Sequence, residues 1–179
     1  MATLETLRSR VRNSVDDQGL ESTYVDQKLR ESLRRVTPYL KLLTRASIPI
    51  AAGQIAYQLP SDFFKLVFIA IGGTMLYTRD GDYEIIGTTV IIDEREPGDD
   101  IVVTYYRNPI PWVADAEPDG VPDEWCDMLE KYAVAEILMR EEGLEEHFAM
   151  KSAFNERLAE FAPWATKTRS YKVQRLVMR

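Results

Sequence analysis

The chain has 179 residues, a formal charge of −7, and a composition that is 45% hydrophobic and 28% charged. These values describe one globular domain or two small ones and exclude a disordered chain. One cysteine excludes an internal disulfide, one histidine argues against most zinc sites, and the acidic total argues against a protein that coats nucleic acid with its whole surface.

No cationic segment followed by an apolar run stands at the start, so no signal peptide is expected. No apolar stretch approaches the ~20 residues that span a bilayer. A soluble protein of a reducing compartment, with no membrane contact, is expected. The charge is unevenly spread: residues 1–47 carry +3, residues 48–165 carry −15 and residues 166–179 carry +5. An acidic body with basic ends suggests more than one charged partner, or self-association through opposite patches.

In chain order, Leu4, Leu7, Val11 and Val15 recur at helical steps and predict an amphipathic helix that ends at Asp16-Asp17-Gln18-Gly19. Thr23 and Asp26 have the spacing of a capping box. Val25, Leu29, Leu33, Val36, Leu40 and Leu43 continue the helical period, with Pro38 inside it, so a kink or a cap and restart is expected there. From residue 46 the character changes to short β-branched and aromatic runs: 46–50, 55–59, 65–71, 74–77, 83–86, 90–92 and 101–106. Gly53, Gly72-Gly73, Asp80-Gly81, Gly87 and Pro97-Gly98 separate them. Connections this short favour antiparallel pairing, and Asp80-Gly81 is the strongest hairpin signal. A proline-rich stretch (Pro109, Pro111, Pro118, Pro122) then leads to a helix over 123–142 closed by Gly143. Tyr132 to Met139 is apolar at nearly every position, so this helix is expected to be buried on most sides. Leu144, Phe148, Leu158 and Phe161 mark a last helix ended by Pro163. The expected fold class is α+β: a helical bundle with an antiparallel β module inserted between the N-terminal and C-terminal helices, plus an extended C-terminal arm. The organisation reads as one domain over 1–165 (helices in 1–45, β module 46–107, helices in 122–162) followed by an arm over 166–179.

Candidate chemistry fails on spacing. Cys126 near a helix start and His147 could form a dyad, but nothing supplies an orienting third group or an oxyanion hole. The simpler readings are a buried small hydrophobe for Cys126 and a solvated surface side chain for His147. No Gly-x-Ser-x-Gly, Walker A or dinucleotide fingerprint occurs. Asp80, Asp82 and Glu84 begin like a calcium loop, but Ile85 stands where glycine is needed. Asp115, Glu117, Asp119 and Gly120 fit better through the glycine, yet Cys126 stands at the bidentate glutamate position. Asp93, Glu94, Glu96, Asp99 and Asp100 cluster around Pro97-Gly98 and read as a solvated hairpin tip. No catalytic residue, metal or cofactor is therefore expected.

The tail is the most informative local feature. Lys167, Arg169, Lys172, Arg175 and Arg179 accompany no acid, and Val173, Leu176 and Val177 share the face opposite Lys172, Arg175 and Arg179 if the segment is helical. An amphipathic basic segment of this length reads as an arm that orders on docking, with apolar side chains in a groove and cations on an acidic rim.

The order of segments resembles a family. A helix over 4–15 precedes Val25-Asp-Gln-Lys-Leu-Arg-Glu-Ser-Leu-Arg-Arg-Val36, then Tyr57-Gln-Leu-Pro-Ser-Asp-Phe63, Val103-Thr-Tyr-Tyr-Arg-Asn-Pro-Ile-Pro111, and Val121-Pro-Asp-Glu-Trp125 opening a long helix. Over nearly the whole chain this is similar to the head–tail adaptor (connector, head-completion) proteins of tailed bacteriophages. The resemblance implies a non-enzymatic virion part, assembled in the host cytoplasm, that forms a ring (usually of twelve copies) between the portal protein and a tail, nozzle or stopper protein. Such a ring extends the channel through which genomic DNA passes without sequence-specific binding. It also implies that the C-terminal segment docks on the portal, which places Tyr171 to Arg179 at that contact. Asp93, Glu94, Glu96, Asp99 and Asp100 are then the candidate channel-facing loop, since negative walls repel phosphate. The alternative is an acidic regulator or nucleic-acid mimic that occupies a basic partner.

Overall fold

The computed structural model describes residues 2–95, 97–113, 116–140 and 144–177, without the side chains of Arg79 and of residues 168–177. The described chain divides into two compact units, one formed by residues 1–41 with 109–179 and the other by residues 42–108.

The first unit is helical. α1 (Leu4–Ser14) buries Leu4, Leu7 and Val11, and the Thr3 hydroxyl caps it by accepting from the Thr6 N–H at 3.3 Å. α2 (Ser22–Leu40) turns Val25, Leu29, Leu33, Val36 and Leu40 inward. The capping box expected at Thr23 does not form. The helix starts at Ser22 behind Glu21, which makes no side-chain cap bond. Asp26 lies inside the helix instead, where Arg8 of α1 donates to its two oxygens at 2.9 and 3.0 Å. A bidentate charge-assisted pair outcompetes a local cap for the carboxylate. Arg12 fastens the α1–α2 connection by donating to the Leu20 carbonyl at 3.0 and 2.6 Å and to Ser22 Oγ at 2.9 Å.

Pro38 does not restart the helix. It falls in the last turn, so only one interior bond is forfeited before Lys41 ends α2 in the left-handed region at φ 47°. A 3-10 turn, Asp123–Trp125, leads into α3 (Cys126–Arg140). The expected single helix over 123–142 is therefore shorter, and its closing Gly143 lies outside the described residues. α3 is packed by α1, α2 and α4, and Met128, Leu129, Tyr132, Ala133, Val134, Ala135 and Ile137 are all buried, as its lack of a polar face requires.

α4 (Leu144–Val177) runs straight through the expected stop at Pro163. The faces also differ from expectation: Leu144 and Phe148 are 58% and 65% exposed, while His147, Phe154, Phe161 and Ala165 face inward. Aromatic packing of Phe161 and Trp164 against Trp125 holds the helix across the proline.

The second unit is all β. β1 (Leu43–Pro49), β3 (Phe63–Ile71), β4 (Thr74–Leu76) and β7 (Asp100–Arg107) form one sheet in the order β1-β7-β3-β4. β2 (Ala56–Gln58), β5 (Tyr83–Ile86) and β6 (Thr89–Ile92) form a second in the order β2-β6-β5. All pairings are antiparallel, with Val103 opposite Ala46 on one side and Ile69 on the other. Ile69, Leu76, Ile101, Val103 and Tyr105 of the first sheet share one core with Tyr57, Val90 and Ile92 of the second. Gly72-Gly73 makes the β3–β4 hairpin, with φ of 54° and 81° suited to glycine. Asp80-Gly81 does not make a hairpin. A 3-10 turn, Thr78–Asp80, ends at Gly81, and the strands on either side belong to different sheets. Burial of Leu76 and Val90 in a common core decides this, since local turn chemistry is the same for a hairpin and for a sheet crossing.

Candidate functional site

The reactive side chains serve packing. Cys126 is buried, its thiol pointing to the Pro122 carbonyl at 3.5 Å and the Val121 carbonyl at 3.9 Å. Burial, reinforced by Asp123, pushes the thiol pKa up to about 12, which leaves almost no thiolate near neutral pH. His147 is buried, contrary to the solvated side chain expected. Its Nδ1 lies 2.7 Å from the Ala135 carbonyl, which can only accept, so Nδ1 carries the proton and ties α4 to α3. The apolar α3 surface recruits the imidazole because that carbonyl offers it a partner.

The acidic clusters are partly engaged in backbone support. Asp82 Oδ2 accepts from the Tyr77 N–H at 2.9 Å, and Asp119 Oδ2 accepts from the Ile110 N–H at 2.8 Å. Among the described residues no group of three His, Cys, Asp or Glu side chains is placed to hold a metal ion; Asp115 lies outside them. Asp93, Glu94, Asp99 and Asp100 are exposed, and Glu96 lies outside the described residues. The segment is not a hairpin tip, because β6 and β7 belong to different sheets. Within it, Asp100 accepts from Ser47 Oγ at 2.6 Å, the Asp99 carbonyl accepts from the Ile50 N–H at 3.3 Å, and the Asp99 carboxylate stands where a Cβ on Gly72 would fall. Asp82, Glu94 and Asp99 line one cleft with Arg95.

α4 is braced where the arm begins. Trp125, Phe161 and Trp164 form an aromatic triad, with Phe161 edge-on to Trp125 at 5.3 Å and stacked on Trp164 at 5.6 Å. The Arg157 guanidinium lies 4.2 Å over the Trp125 ring and donates to Asp127 at 3.2 Å, Glu160 at 2.8 Å and the Glu124 carbonyl at 2.8 Å. Asp127 also receives Lys131. Burial raises the Asp127 pKa, but the Lys131 and Arg157 contacts outweigh it and hold the carboxyl below its ordinary value. One turn beyond Pro163, Thr166 accepts from Lys41 Nζ at 3.1 Å.

From this brace α4 continues as helix to Val177. Lys167 is exposed. Arg169, Tyr171, Lys172, Val173, Arg175, Leu176 and Val177 lie on the helical backbone with side chains outside the description, as is all of Arg179. Sequence reasoning missed the triad. Its signal is the three-residue step from Phe161 to Trp164, masked by the proline between them.

A helical unit with a two-sheet insertion, its one thiol and one imidazole both absorbed in packing, defines a structural α+β scaffold. The chain belongs to the SU10 adaptor protein family, whose model matches residues 2–178. A search of curated proteins finds no match. Family membership bears out the resemblance to phage head–tail adaptors. It gives the chain an adaptor's structural role in the virion and in tail assembly, in a family that is generally non-enzymatic and that engages portal and tail components.

Proposed function

We propose that the protein forms a ring, of about twelve copies as the family resemblance implies, between portal and tail, extends the DNA channel, and grips the portal with residues 166–179. The observation that carries this reading is α4 itself. It is anchored by the Trp125–Phe161–Trp164 triad and then continues as helix to Val177 in the segment that holds five cations and no acid. An amphipathic helix of this kind docks by its apolar face with its cations on an acidic rim. Asp93, Glu94, Glu96, Asp99 and Asp100 line the channel in this reading, where negative side chains prevent the counterion-release attraction that would hold DNA in transit.

Mixing the protein with its cognate portal and imaging by electron microscopy is expected to show a ring on the portal. A chain ending at residue 165 is expected to lose at least tenfold in portal affinity while keeping its helical circular dichroism. Unchanged binding by that chain would remove the docking assignment.

A further inference from the structure

The outer face of α2 presents Arg30, Arg34 and Arg35, all exposed. Among the described residues, no carboxylate lies within ion-pair distance of any of them, whereas the neighbouring Lys28 and Glu31 pair at 3.0 Å. Two of the three are held in place by neutral partners: Arg30 Nε donates to the Trp112 carbonyl and Arg35 Nε to Tyr132 Oη, each at 3.3 Å. These two positioned guanidiniums, with Arg34 beside them, are influenced by Glu31 and Glu136 through space but make no ion pair with a described carboxylate. They leave this face cationic in a chain with an acidic excess and suit an anionic partner outside the chain.

The outer face of α4 is acidic. Glu145, Glu156 and Glu160 are exposed along one side, with the exposed Ala149, Ser152 and Ala159 between them on that side. Glu160 also accepts from Arg157 at 2.8 Å and Glu156 from Ser152 Oγ at 3.2 Å, each through one oxygen, which leaves carboxylate acceptor positions facing outward. Small residues between glutamates allow a second helix to approach closely. Both helices belong to the same unit and both pack on α3, so one copy carries both complementary faces. Complementary faces at different places on one molecule make a heterologous contact, which is the contact a closed ring requires.

We infer that the arginine face of α2 on one copy docks on the glutamate face of α4 on the next, making the protomer–protomer contact of the ring. The inference rests on the ring reading above and names its interface. DNA is the weaker occupant for the arginines, because residues 48–165 carry −15 and repel phosphate, while the same excess makes a second copy an anionic surface.

The test uses two full-length variants, Arg34→Glu/Arg35→Glu and Glu156→Arg/Glu160→Arg, with ring occupancy on the portal read by electron microscopy and mass. Each variant alone is expected to lose about tenfold or more in ring formation. An equimolar mixture is expected to restore it, because alternating copies again place opposite charges at every contact. Restoration also shows that neither variant has merely failed to fold. If either variant alone forms wild-type rings, or if the mixture does no better than its parts, the inference is overturned and the ring reading stands. If the arginine variant keeps its rings but loses affinity for duplex DNA, the occupant is DNA and the inference is wrong. A wild-type chain that binds the portal without forming a ring overturns both.

Discussion

Individual residues divide by whether their partner is near in sequence. Cys126 reads correctly as a buried hydrophobe, because burial and the neighbouring Asp123 and Asp127 oppose the thiolate that a helix start would otherwise favour. His147 does not, because its partner is the Ala135 carbonyl of another helix, which no spacing rule reveals. Asp26 is similar: it fits a local cap on paper, and Arg8 claims it in space. Thr104 carries a residue-scale prediction. Its hydroxyl is buried in β7 without a hydrogen-bond partner among the described residues, and such a group costs about 1 kcal/mol or more. Thr104→Val keeps the β-branched shape and removes that hydroxyl. Denaturant unfolding is expected to show a gain of about 1 kcal/mol, and a loss of stability would mean that the hydroxyl is satisfied.

At the scale of elements, all seven short apolar runs become strands, because β-branched residues bounded by glycine have few other solutions. Their assignment to sheets was not legible. The Asp80-Gly81 turn joins strands of different sheets, since Leu76 and Val90 must reach a shared core. Both prolines expected to interrupt helices lie inside them. Pro38 costs little at the end of α2, whereas Pro163 sits well inside α4 and is tolerated because Phe161 and Trp164 are fixed against Trp125. Replacing it with alanine restores a backbone donor and removes the ring's clash with the preceding turn. Thermal unfolding of Pro163→Ala is expected to show a gain of about 1–3 kcal/mol. No gain would mean that the ring's own packing offsets the lost hydrogen bond.

For the whole molecule, the division into units carries its own prediction. The β unit enters and leaves through adjacent strand ends, where the Arg107 N–H donates to the Leu42 carbonyl at 2.9 Å. The helical unit buries its own core, from Leu7 and Leu29 to Ile137 and Phe161. Replacing residues 43–107 with a short Gly-Ser linker is therefore expected to leave a cooperatively unfolding helical protein by circular dichroism. Loss of cooperative unfolding would show that the helical core depends on the insertion. The two units also separate possible roles, since the arginine and glutamate faces and the arm lie on the helical unit and the 93–100 acidic segment lies on the β unit.

The sequence by itself determined the α+β class, the order of elements, the strand runs, the basic tail and the adaptor resemblance. These follow from periodicity, composition and turn residues, which act over a few neighbouring positions. Only the tertiary structure decided which strands share a sheet, that α4 passes through Pro163, that His147 is buried, and that three arginines on α2 make no ion pair with a described carboxylate. Each of these depends on a partner far along the chain, and the free energy of burying or pairing the two exists only once the fold has brought them together.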